Sequence, residues 1–522
     1  MRYLVRKGQA FPQVRAAEPR DGAGRIKGNL VKPENEMAPD DSSLIFACAP
    51  IRRSARVRCI DSSIQEVLAM GQQRISRRRF MQATACVAGA RVAGRSFLLG
   101  PGPSYASARP VAPSDTIRMG IIGVGMQGSG LLRTSIGLPG VDCIAACDLY
   151  DGRRQLAKEI VGKEIHTTRQ YKELLDNKEI DCIVAAVPDH WHKQIVVDCC
   201  NAGKDVYCEK PMSHAVSEGF EMIAAEQKNK RIVQIGSQRR SDIVYAKAKE
   251  LYERGAIGDV CLVEAQMGRN DPCGAWEYTV PPDLSPETLD WETWLGTASK
   301  KPFNSLHFTR WRCWQDYGEG IPGDLFVHLV TGIHYVAGIT APPKRAFSMG
   351  GLFRWHDGRD VPDALTTVYE YPQFRATLRV TLNTESDEVT RFMGTRGLLE
   401  IRGGELTVTP QAGADYGPCT PGWPKKMRAD FAEEWDKEHE LKPGSFSTVE
   451  STRYYAPPDY NDDREHLWNF FESVRTRRPS IEDATFGNNA ALCCHMANYS
   501  YFNNAIANWD TGKKKIMGSV AS

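Results

Sequence analysis

The chain has 522 residues, of which 42% are hydrophobic and 25% are charged, a composition typical of a globular protein large enough for two domains. Its formal net charge is +2, and no basic patch with interleaved aromatic residues follows residue 109, which argues against a dedicated nucleic-acid-binding protein. No apolar run approaches the length of a membrane span, so no span is predicted.

The 15 cysteines are an odd number, and several lie inside apolar strand-like runs. We interpret them as small buried apolar side chains and not as a disulfide framework. Cys199 and Cys200, like Cys493 and Cys494, are adjacent pairs in helical patterns and lack the spacing of a zinc site. No metal site is predicted.

Residues 1–69 are rich in Pro, Gly, Arg and polar residues and are not expected to form a packed core. Residues 70–108 contain SRRRFMQ (76–82), then a small and apolar stretch, then Ala-Ser-Ala (106–108). This order resembles a twin-arginine signal with an Ala-x-Ala cleavage site, and it predicts export to the periplasm by the twin-arginine machinery. A basic linker is the alternative, because Arg91 interrupts the apolar stretch.

Export signals act near a free N-terminus, which conflicts with the extension formed by residues 1–69. We therefore hypothesise that translation begins at Met70 and that residues 1–69 are not normally made. Peptides from residues 1–69 in a mass spectrum of the cellular protein would contradict this. The twin-arginine resemblance also implies transport of a folded protein, so that a cofactor could be loaded before export.

The stretch from Thr116 to Asp148 has the order strand, Gly-rich turn, helix, strand and acid, which is the dinucleotide-binding fingerprint. In its GVGMQG turn, Gly123 permits the tight turn, Gly125 leaves room for a pyrophosphate, and Gly128 lets the helix pack near the sheet. The unpaired N–H groups and the dipole at the helix N-terminus then attract the phosphates. An ordinary glycine turn is the alternative for a GxGxxG pattern without these flanks.

Asp148 would accept hydrogen bonds from the adenosine ribose hydroxyls, which favours NAD over NADP. Arg153 and Arg154 follow closely, and guanidinium groups also bind a 2′-phosphate, so NAD or NADP remains open. The residues predicted to bind the cofactor are Gly123, Gly125, Met126, Gln127, Gly128, Asp148, Pro188, His192, Glu209 and Lys210.

Short apolar runs alternate with helical patterns from Thr116 onward, which predicts a parallel sheet and an α/β Rossmann domain over residues 109–236. Strands are predicted at 116–122, 141–148, 181–187, 204–208 and 231–235, and helices near 127–137, 191–202 and 214–227.

After residue 237 strand-like runs follow one another with hairpin-scale turns, which predicts a second α/β domain, residues 237–505, with a largely antiparallel sheet. Its predicted strands are 259–268, 343–353, 363–371, 375–383 and 398–409, and its closing helices are 462–477 and about 482–503. Residues 506–522 are expected to be a C-terminal tail.

Lys210 follows the last predicted strand of the first domain, at the sheet edge where open α/β folds bind ligands. A cation there could stabilise a substrate alkoxide beside the nicotinamide, although a surface lysine in a turn has the same pattern. His192, after Pro188, could contact the cofactor or cap its helix. Asp324 and His328 are four residues apart, so on a helix the carboxylate could orient the imidazole as a general base. An exposed i,i+4 pair is the ordinary alternative.

The chain resembles the glucose–fructose oxidoreductase / inositol dehydrogenase / MocA (Gfo/Idh/MocA) family over residues 116–505 in a series of motifs. These are GVGMQG, Asp148, VPDHWH (187–192), EKP (209–211), IGSQRR (235–240), IGDV (257–260), Asp324 with His328, and GTRG (394–397).

The resemblance implies that Lys210 is the catalytic lysine on the nicotinamide side, joined to Pro211 by a cis bond. It also implies that Asp324 and His328 are the proton-handling pair, with His328 as the general base. The second domain would be an open, mainly antiparallel sheet whose face covers the nicotinamide. A homodimer or homotetramer would pack through the outer face of that sheet.

Two positions depart from the family pattern. Asp189 stands where the family often has Asn, which is a mild change, and Thr331 replaces an acid three residues after the histidine. The loss of that acid removes a possible substrate contact and weakens any transfer of a known substrate.

Several tryptophans precede Asp324, and aromatic rings stack on the C–H faces of sugars, although most tryptophans are core residues. We predict that Arg239, Arg310 and Trp311 contact a carbohydrate substrate, while arginines could instead pair with acids. Arg312 flanks Trp311 on the other side.

These features predict an exported NAD(P)-dependent oxidoreductase that transfers hydride between a nicotinamide and a hydroxyl carbon of a sugar, polyol or glycoside. A glycoside hydrolase that uses NAD transiently is the alternative within the same family. Aglycone release without net NADH would favour that hydrolase. A nucleotide-binding protein without turnover is the third hypothesis, and Lys210, Asp324 and His328 argue against it.

Overall fold

The computed structural model describes residues 112–411, 419–438 and 451–519. The predicted N-terminal extension, 1–69, and export signal, 70–108, lie outside these residues. Within the described residues, no helix is long and apolar enough to cross a bilayer.

The first domain is built on a parallel sheet with the strand order β3-β2-β1-β4-β5-β6. The strands are β1 (Ile117–Ile122), β2 (Val141–Cys147), β3 (His166–Thr168), β4 (Cys182–Ala185), β5 (Asp205–Glu209) and β6 (Val233–Gly236). The central strands are apolar because helices cover both faces of a parallel sheet. The chain order reverses between β1 and β4, and this switch point is where open α/β sheets bind ligands.

The helices of this domain connect the parallel strands. They are α1 (Met126–Ile136), α2 (Asp151–Val161), α3 (Tyr171–Asp176), α4 (His192–Asn201) and α5 (Val216–Asn229). The predicted strands and helices correspond to these elements, but the prediction missed α2, β3 and α3. Helix α2 is mostly polar, with Ala157 as its one fully buried residue among those described, so its apolar face was too narrow to recognise.

The second domain is built on a mixed sheet with the order β14-β13-β12-β11-β7-β10-β9-β8-β15-β16 in the described residues. Its strands are β7 (Val260–Gly268), β8 (Arg345–Gly351), β9 (Ala364–Glu370), β10 (Arg375–Thr381), β11 (Ser386–Gly394), β12 (Gly397–Arg402), β13 (Glu405–Pro410), β14 (Thr452–Tyr455), β15 (Ile506–Asp510) and β16 (Lys515–Ser519). Strands β7 and β10 are parallel neighbours, and the other recorded pairs are antiparallel. This confirms the predicted fold class.

The predicted strand 398–409 is two strands, because Gly403 takes a positive φ of 54° and turns the chain between β12 and β13. The expected tail at 506–522 is also corrected. Its described part forms the hairpin of β15 and β16, and β15 pairs with β8. Backbone pairing with an existing sheet edge stabilises these short polar strands, a long-range effect that their own composition does not reveal.

Seven helices are described in or after the second domain: α6 (Ile243–Glu253), α7 (Trp291–Leu295), α8 (Ser305–Thr309), α9 (Val327–Ala337), α10 (Lys425–Glu438), α11 (Asp462–Thr476) and α12 (Ala484–Asn503). Helix α11 packs on the first domain, since its Leu467, Phe470 and Phe471 join the core that contains Ile121 and Tyr207. The chain therefore returns to the Rossmann domain after the second sheet, which the predicted boundary at residues 236 and 237 omitted.

Candidate active site

A cavity of about 480 Å³ lies at the carboxyl ends of the parallel strands, and residues of both domains line it. Gly125, Met126, Gln127, Pro188, Glu209 and Lys210 come from the first domain, and Tyr278, Trp311, Arg312, Asp324 and His328 come from the second. A second cavity surrounds Asp148 and shares Arg153, Pro188, Trp294 and Phe308 with the first. Both cavities lie at the switch point of the sheet.

The glycine turn is held tightly against the neighbouring strand loop. Gly123 has a φ of +88°, and a Cβ there would lie 2.3 Å from the carbonyl oxygen of Ala186. A Cβ on Gly128 would lie 2.1 Å from the Gly123 oxygen, so a side chain would separate the helix from the turn. A Cβ on Gly125 would lie in ordinary contact with the Arg153 guanidinium, at 3.4 Å or more, so Gly125 is the least crowded of the three glycines. The tight turn and the close approach of helix and turn are the features that a pyrophosphate site requires.

Asp148 lies at the end of β2, and its carboxylate is fixed by two backbone amides. Val124 N donates to Oδ2 at 2.8 Å, and Tyr150 N donates to Oδ1 at 3.0 Å. Each carboxylate oxygen keeps a lone pair for a ribose hydroxyl. Arg153 Nη1 lies 3.9 Å from Oδ2, whereas Arg154 Nη2 donates to Asp151 Oδ1 at 2.5 Å. Of the two arginines, Arg153 is therefore the one that lines the cavity around Asp148.

Glu209 lies beside the glycine turn and lines the cavity. Gln127 Nε2 donates to its Oε1 at 3.1 Å. Burial raises the pKa of Glu209 to about 7, while the charge of Lys210 opposes the increase. Asp463, at the start of α11, lines the same cavity and was not identified from the sequence. Its position depends on α11 packing on the Rossmann domain.

Lys210 and Asp324 form the central ion pair of the cavity. Lys210 precedes a cis peptide bond to Pro211, as the resemblance implies. Its Nζ donates to Asp324 Oδ1 at 2.8 Å and to the Asp324 carbonyl oxygen at 2.8 Å. Arg312 Nε donates to Oδ1 at 2.9 Å, and Trp276 Nε1 donates to Oδ2 at 2.9 Å. Burial by itself would raise the pKa of Asp324, but the cations of Lys210 and Arg312 hold it well below its usual range.

His328 is oriented by the first domain and not, as predicted, by Asp324. Its Nδ1 lies 3.2 Å from the carbonyl oxygen of Ser237, the residue directly after β6. Residues Pro322–Phe326 form a π-helical turn before α9, which alters the helical spacing assumed for an i,i+4 pair. Asp324 instead binds the lysine, arginine and tryptophan described above.

Burial lowers the pKa of His328 well below its usual value of 6.5, and the nearby cations of Lys210 and Arg239 add to this effect. The imidazole is therefore neutral at neutral pH. A neutral ring that donates Nδ1–H to the Ser237 carbonyl leaves a lone pair on Nε2. That tautomer can accept a proton inside the cavity.

Of the predicted pair Pro188 and His192, the proline lines both cavities. The His192 ring is buried, with Nδ1 at 2.6 Å from the Pro211 carbonyl oxygen and Nε2 at 2.9 Å from the Val187 carbonyl oxygen. Burial lowers its pKa to about 4. His192 therefore links the loops after β4 and β5 and does not line the cofactor cavities, which corrects its predicted role.

The three residues that were predicted to contact the substrate do not lie together. Trp311 lines the main cavity, and the Arg312 guanidinium lies over its ring at 4.2 Å. Arg310 pairs with Glu277, the alternative considered for it, and Arg239 pairs with Glu388 at 2.5 Å in another cavity. Neither arginine lines the main cavity, which corrects their predicted role as substrate contacts.

The sequence offered Arg312 as a possible partner of polyol oxygens or of acids, and it did not place Tyr278 or Arg269 in the site. Arg310 and Arg312 both flank Trp311 in the segment RWRCW, and this spacing could not show which guanidinium faces Asp324. Tyr278 and Arg269 lie in irregular or strand-end positions without a motif. Their role follows from the path of the chain between β7 and α7.

Comparison with known proteins also indicates a dinucleotide-binding domain. Residues 117–237 match the family model described as "Oxidoreductase family, NAD-binding Rossmann fold", which is the Gfo/Idh/MocA model. An inositol 2-dehydrogenase of Salmonella paratyphi B is 35% identical over 153 residues, which are 29% of this chain and 46% of that protein. One of Gluconacetobacter diazotrophicus is 31% identical over 186 residues, 34% of this chain and 54% of that protein. The chain thus spans about half the length of the curated relatives it matches.

Two solved structures share the fold of both domains. A levoglucosan dehydrogenase in complex with NADH and levoglucosan has a TM-score of 0.55 at 18% identity, covering 75% of this chain and 99% of that one. The aldose-aldose oxidoreductase of Caulobacter crescentus, complexed with glycerol, has a TM-score of 0.55 at 17% identity with the same coverage. Residues 117–237 of this chain therefore form a Rossmann domain that is similar to the NAD-binding domain of the Gfo/Idh/MocA oxidoreductase family.

Proposed function

We propose that the chain is an NAD(P)-dependent oxidoreductase that moves hydride between a nicotinamide and a hydroxyl carbon of a sugar or polyol. The observation that carries the proposal is one cavity in which Lys210 and His328 face the space beside the glycine turn. The imidazole of His328 is neutral, as a general base for alcohol oxidation must be. The names of the relatives and of the solved structures support a carbohydrate substrate.

A nicotinamide bound in this cavity would supply the hydride acceptor. The neutral His328 takes the hydroxyl proton at Nε2. Lys210 has three N–H groups, and two of them are used on Asp324. The third is left to stabilise negative charge on the substrate oxygen. Asp324 holds this ammonium in place while Arg312 and Trp276 hold Asp324.

Replacing His328 by glutamine is expected to lower kcat for oxidation about 100-fold or more, since a general base is removed while the ring's volume is largely kept. The low pKa of His328 also predicts that wild-type kcat stays constant as pH falls through 6.5. Activity then declines only at a distinctly lower pH, where the imidazole takes up a proton. Steady-state kinetics over pH tests both points, and an acid limb at 6.5 or above would contradict the assignment.

We propose NAD as the preferred cofactor. The fixed carboxylate of Asp148 supports this preference, because it would repel a 2′-phosphate. Arg153 opposes it, since its guanidinium lies near the same carboxylate. Measured Kd values of the purified protein for NAD and NADP decide between them.

The function is tested by identifying any nucleotide retained by the purified chain and then screening sugars, polyols and glycosides for reduction of the nicotinamide. Turnover of a sugar or polyol with formation of NADH or NADPH is the expected result. Aglycone release from a glycoside without net NADH would favour the hydrolase instead. Tight nucleotide binding without turnover of any substrate would contradict the proposal.

We also propose that the chain is exported to the periplasm by the twin-arginine route. The motif at 76–82 supports this, and the twelve cysteines in the described residues are all free, which suits folding in a reducing compartment before export. Replacing Arg77 and Arg78 together by lysine is expected to leave the protein in the cytoplasm, measured by cell fractionation. Arg74→Lys is the matched control, and periplasmic protein in the double variant would contradict the proposal.

We propose that copies of the chain pack through the outer face of the second sheet. Leu262, Met349 and Val368 are 47%, 68% and 43% exposed in β7, β8 and β9, which supports an apolar contact there. Light scattering tests for a dimer or tetramer.

A further inference from the structure

Two guanidinium groups of the second domain line the main cavity, and they differ in their partners. Arg312 donates to Asp324 and covers Trp311. Arg269 immediately follows β7, and its backbone N–H donates to the Thr381 carbonyl oxygen at 2.9 Å. The residue is half-buried, and its guanidinium has no hydrogen-bond or ion-pair partner among the residues that the structure describes. A cation in the wall of the cavity is thus left without a counter-charge.

Three other arginines of this domain have acidic partners. Arg310 pairs with Glu277, Arg359 donates to Asp357 at 2.8 Å, and Arg239 pairs with Glu388. A guanidinium partly removed from water is destabilised unless an anion or acceptor compensates it. The fold supplies an acidic partner to these three arginines and to Arg312, but not to Arg269.

The acids of the cavity do not supply the missing charge. Asp324 is already shared by Lys210 and Arg312, so this group carries one net positive charge. Glu209 contacts Gln127 and the Lys210 amide on the Rossmann side. The charges that act on Asp463 are those of Asp462 and Arg239, not that of Arg269. Bringing Arg269 to the same cavity increases the positive charge on the substrate side.

Hydroxyl groups accompany Arg269 in the cavity wall. Tyr278, Thr279 and Thr309 line it as well. Burial raises the pKa of Tyr278, and the charges of Arg312, Asp324 and Arg269 all act on it, so the phenol lies near both the ion pair and Arg269. These three hydroxyl side chains in the cavity wall suit a ligand with several hydroxyl groups of its own.

We propose that the substrate is a sugar acid, a polyhydroxylated molecule whose carboxylate is bound by Arg269 while a hydroxyl carbon lies at Lys210 and His328. This rests on the proposed function. The alcohol carbon loses hydride to the oxidised nicotinamide and its hydroxyl proton to His328, which leaves a carbonyl, and the carboxylate is unchanged. A planar guanidinium matches the two oxygens of a carboxylate, and a monoanion balances the single charge of Arg269.

The test compares matched acids and neutral sugars on the full nucleotide-loaded chain: D-glucuronate with D-glucose, and D-galacturonate with D-galactose. The wild type is expected to show at least about a 10-fold higher kcat/KM for an acid than for its neutral partner. Arg269→Gln is expected to lower kcat/KM for the acid by roughly 10- to 100-fold while kcat/KM for the neutral sugar changes less than about twofold. Arg269→Lys restores part of the loss.

Calorimetry provides a readout besides turnover, since D-glucuronate binding to the nucleotide-loaded protein should weaken in Arg269→Gln. Arg396→Gln is the matched control, because that exposed arginine lies in the turn between β11 and β12. It removes the same charge from the same sheet and should leave both sugars and D-glucuronate binding unchanged.

Equal kcat/KM for acids and neutral sugars, unaffected by Arg269→Gln, would overturn the sugar-acid proposal and leave the oxidoreductase function standing. A clear preference for D-glucose 6-phosphate over D-glucuronate would overturn the assignment of a carboxylate. Failure of every sugar, with nucleotide bound, would overturn both proposals. The comparison of wild-type substrates decides the question even if a variant at residue 269 fails to fold.

Discussion

Replacing Lys210 by methionine is expected to lower kcat by about 100- to 1000-fold, because the group that stabilises negative charge on the substrate oxygen is removed. The chain should still fold, since Asp324 keeps its hydrogen bonds from Arg312 and Trp276 and is not left as an unpaired buried charge. Nucleotide binding should also persist, because the glycine turn is untouched. Steady-state kinetics on a substrate found in the screen, together with the Kd for the nucleotide, measure both effects.

Lys163→Met is the matched control for this experiment. Lys163 is exposed and pairs with Asp142 on the surface of the same domain, at 2.7 Å. Surface pairs of this kind contribute about 0–1 kcal/mol to stability, so activity should not change. A Lys210→Met variant with kcat close to that of the wild type would contradict the role assigned to the lysine.

Gly128→Ala is expected to remove most nucleotide binding and to destabilise the first domain. The added Cβ would lie 2.1 Å from the Gly123 carbonyl oxygen, so α1 must move away from the turn. Overpacking of this kind costs about 1–3 kcal/mol of folding free energy. Loss of the aligned amide contacts to the phosphates should raise the nucleotide Kd by roughly 100-fold. Chemical denaturation and calorimetric titration with NAD measure these two quantities.

The same helix offers a matched control in Gly130→Ala. Nothing lies within 4 Å of a Cβ at that exposed position, so the substitution should leave nucleotide binding intact. It should also stabilise the helix by up to about 1 kcal/mol, because alanine loses less conformational entropy than glycine in a helix. If the two variants bind NAD equally well, close packing at Gly128 is not what shapes the binding site.

Features that depend on neighbouring residues could be predicted from the sequence. Strand β1, the glycine turn, helix α1 and Asp148 follow one another within one short stretch, and their spacing reflects a local path of the chain. Lys210 and Pro188 could be placed for the same reason, since both lie just beyond the end of a buried strand and the carboxyl ends of parallel strands meet at one edge. The β15–β16 hairpin could not be predicted from the sequence, because its polar residues are held by pairing with a distant strand.

What the sequence by itself determined is therefore the order of the elements, the nucleotide fingerprint and the set of chemically capable residues. Only the tertiary structure decided which of those residues meet. It paired Asp324 with Lys210, Arg312 and Trp276, and it set His328 against the carbonyl of Ser237. The physical reason is that a side chain's partner depends on its direction and on segments far along the chain. A π-helical turn before α9 is enough to change that direction without leaving a signal in the spacing of the residues.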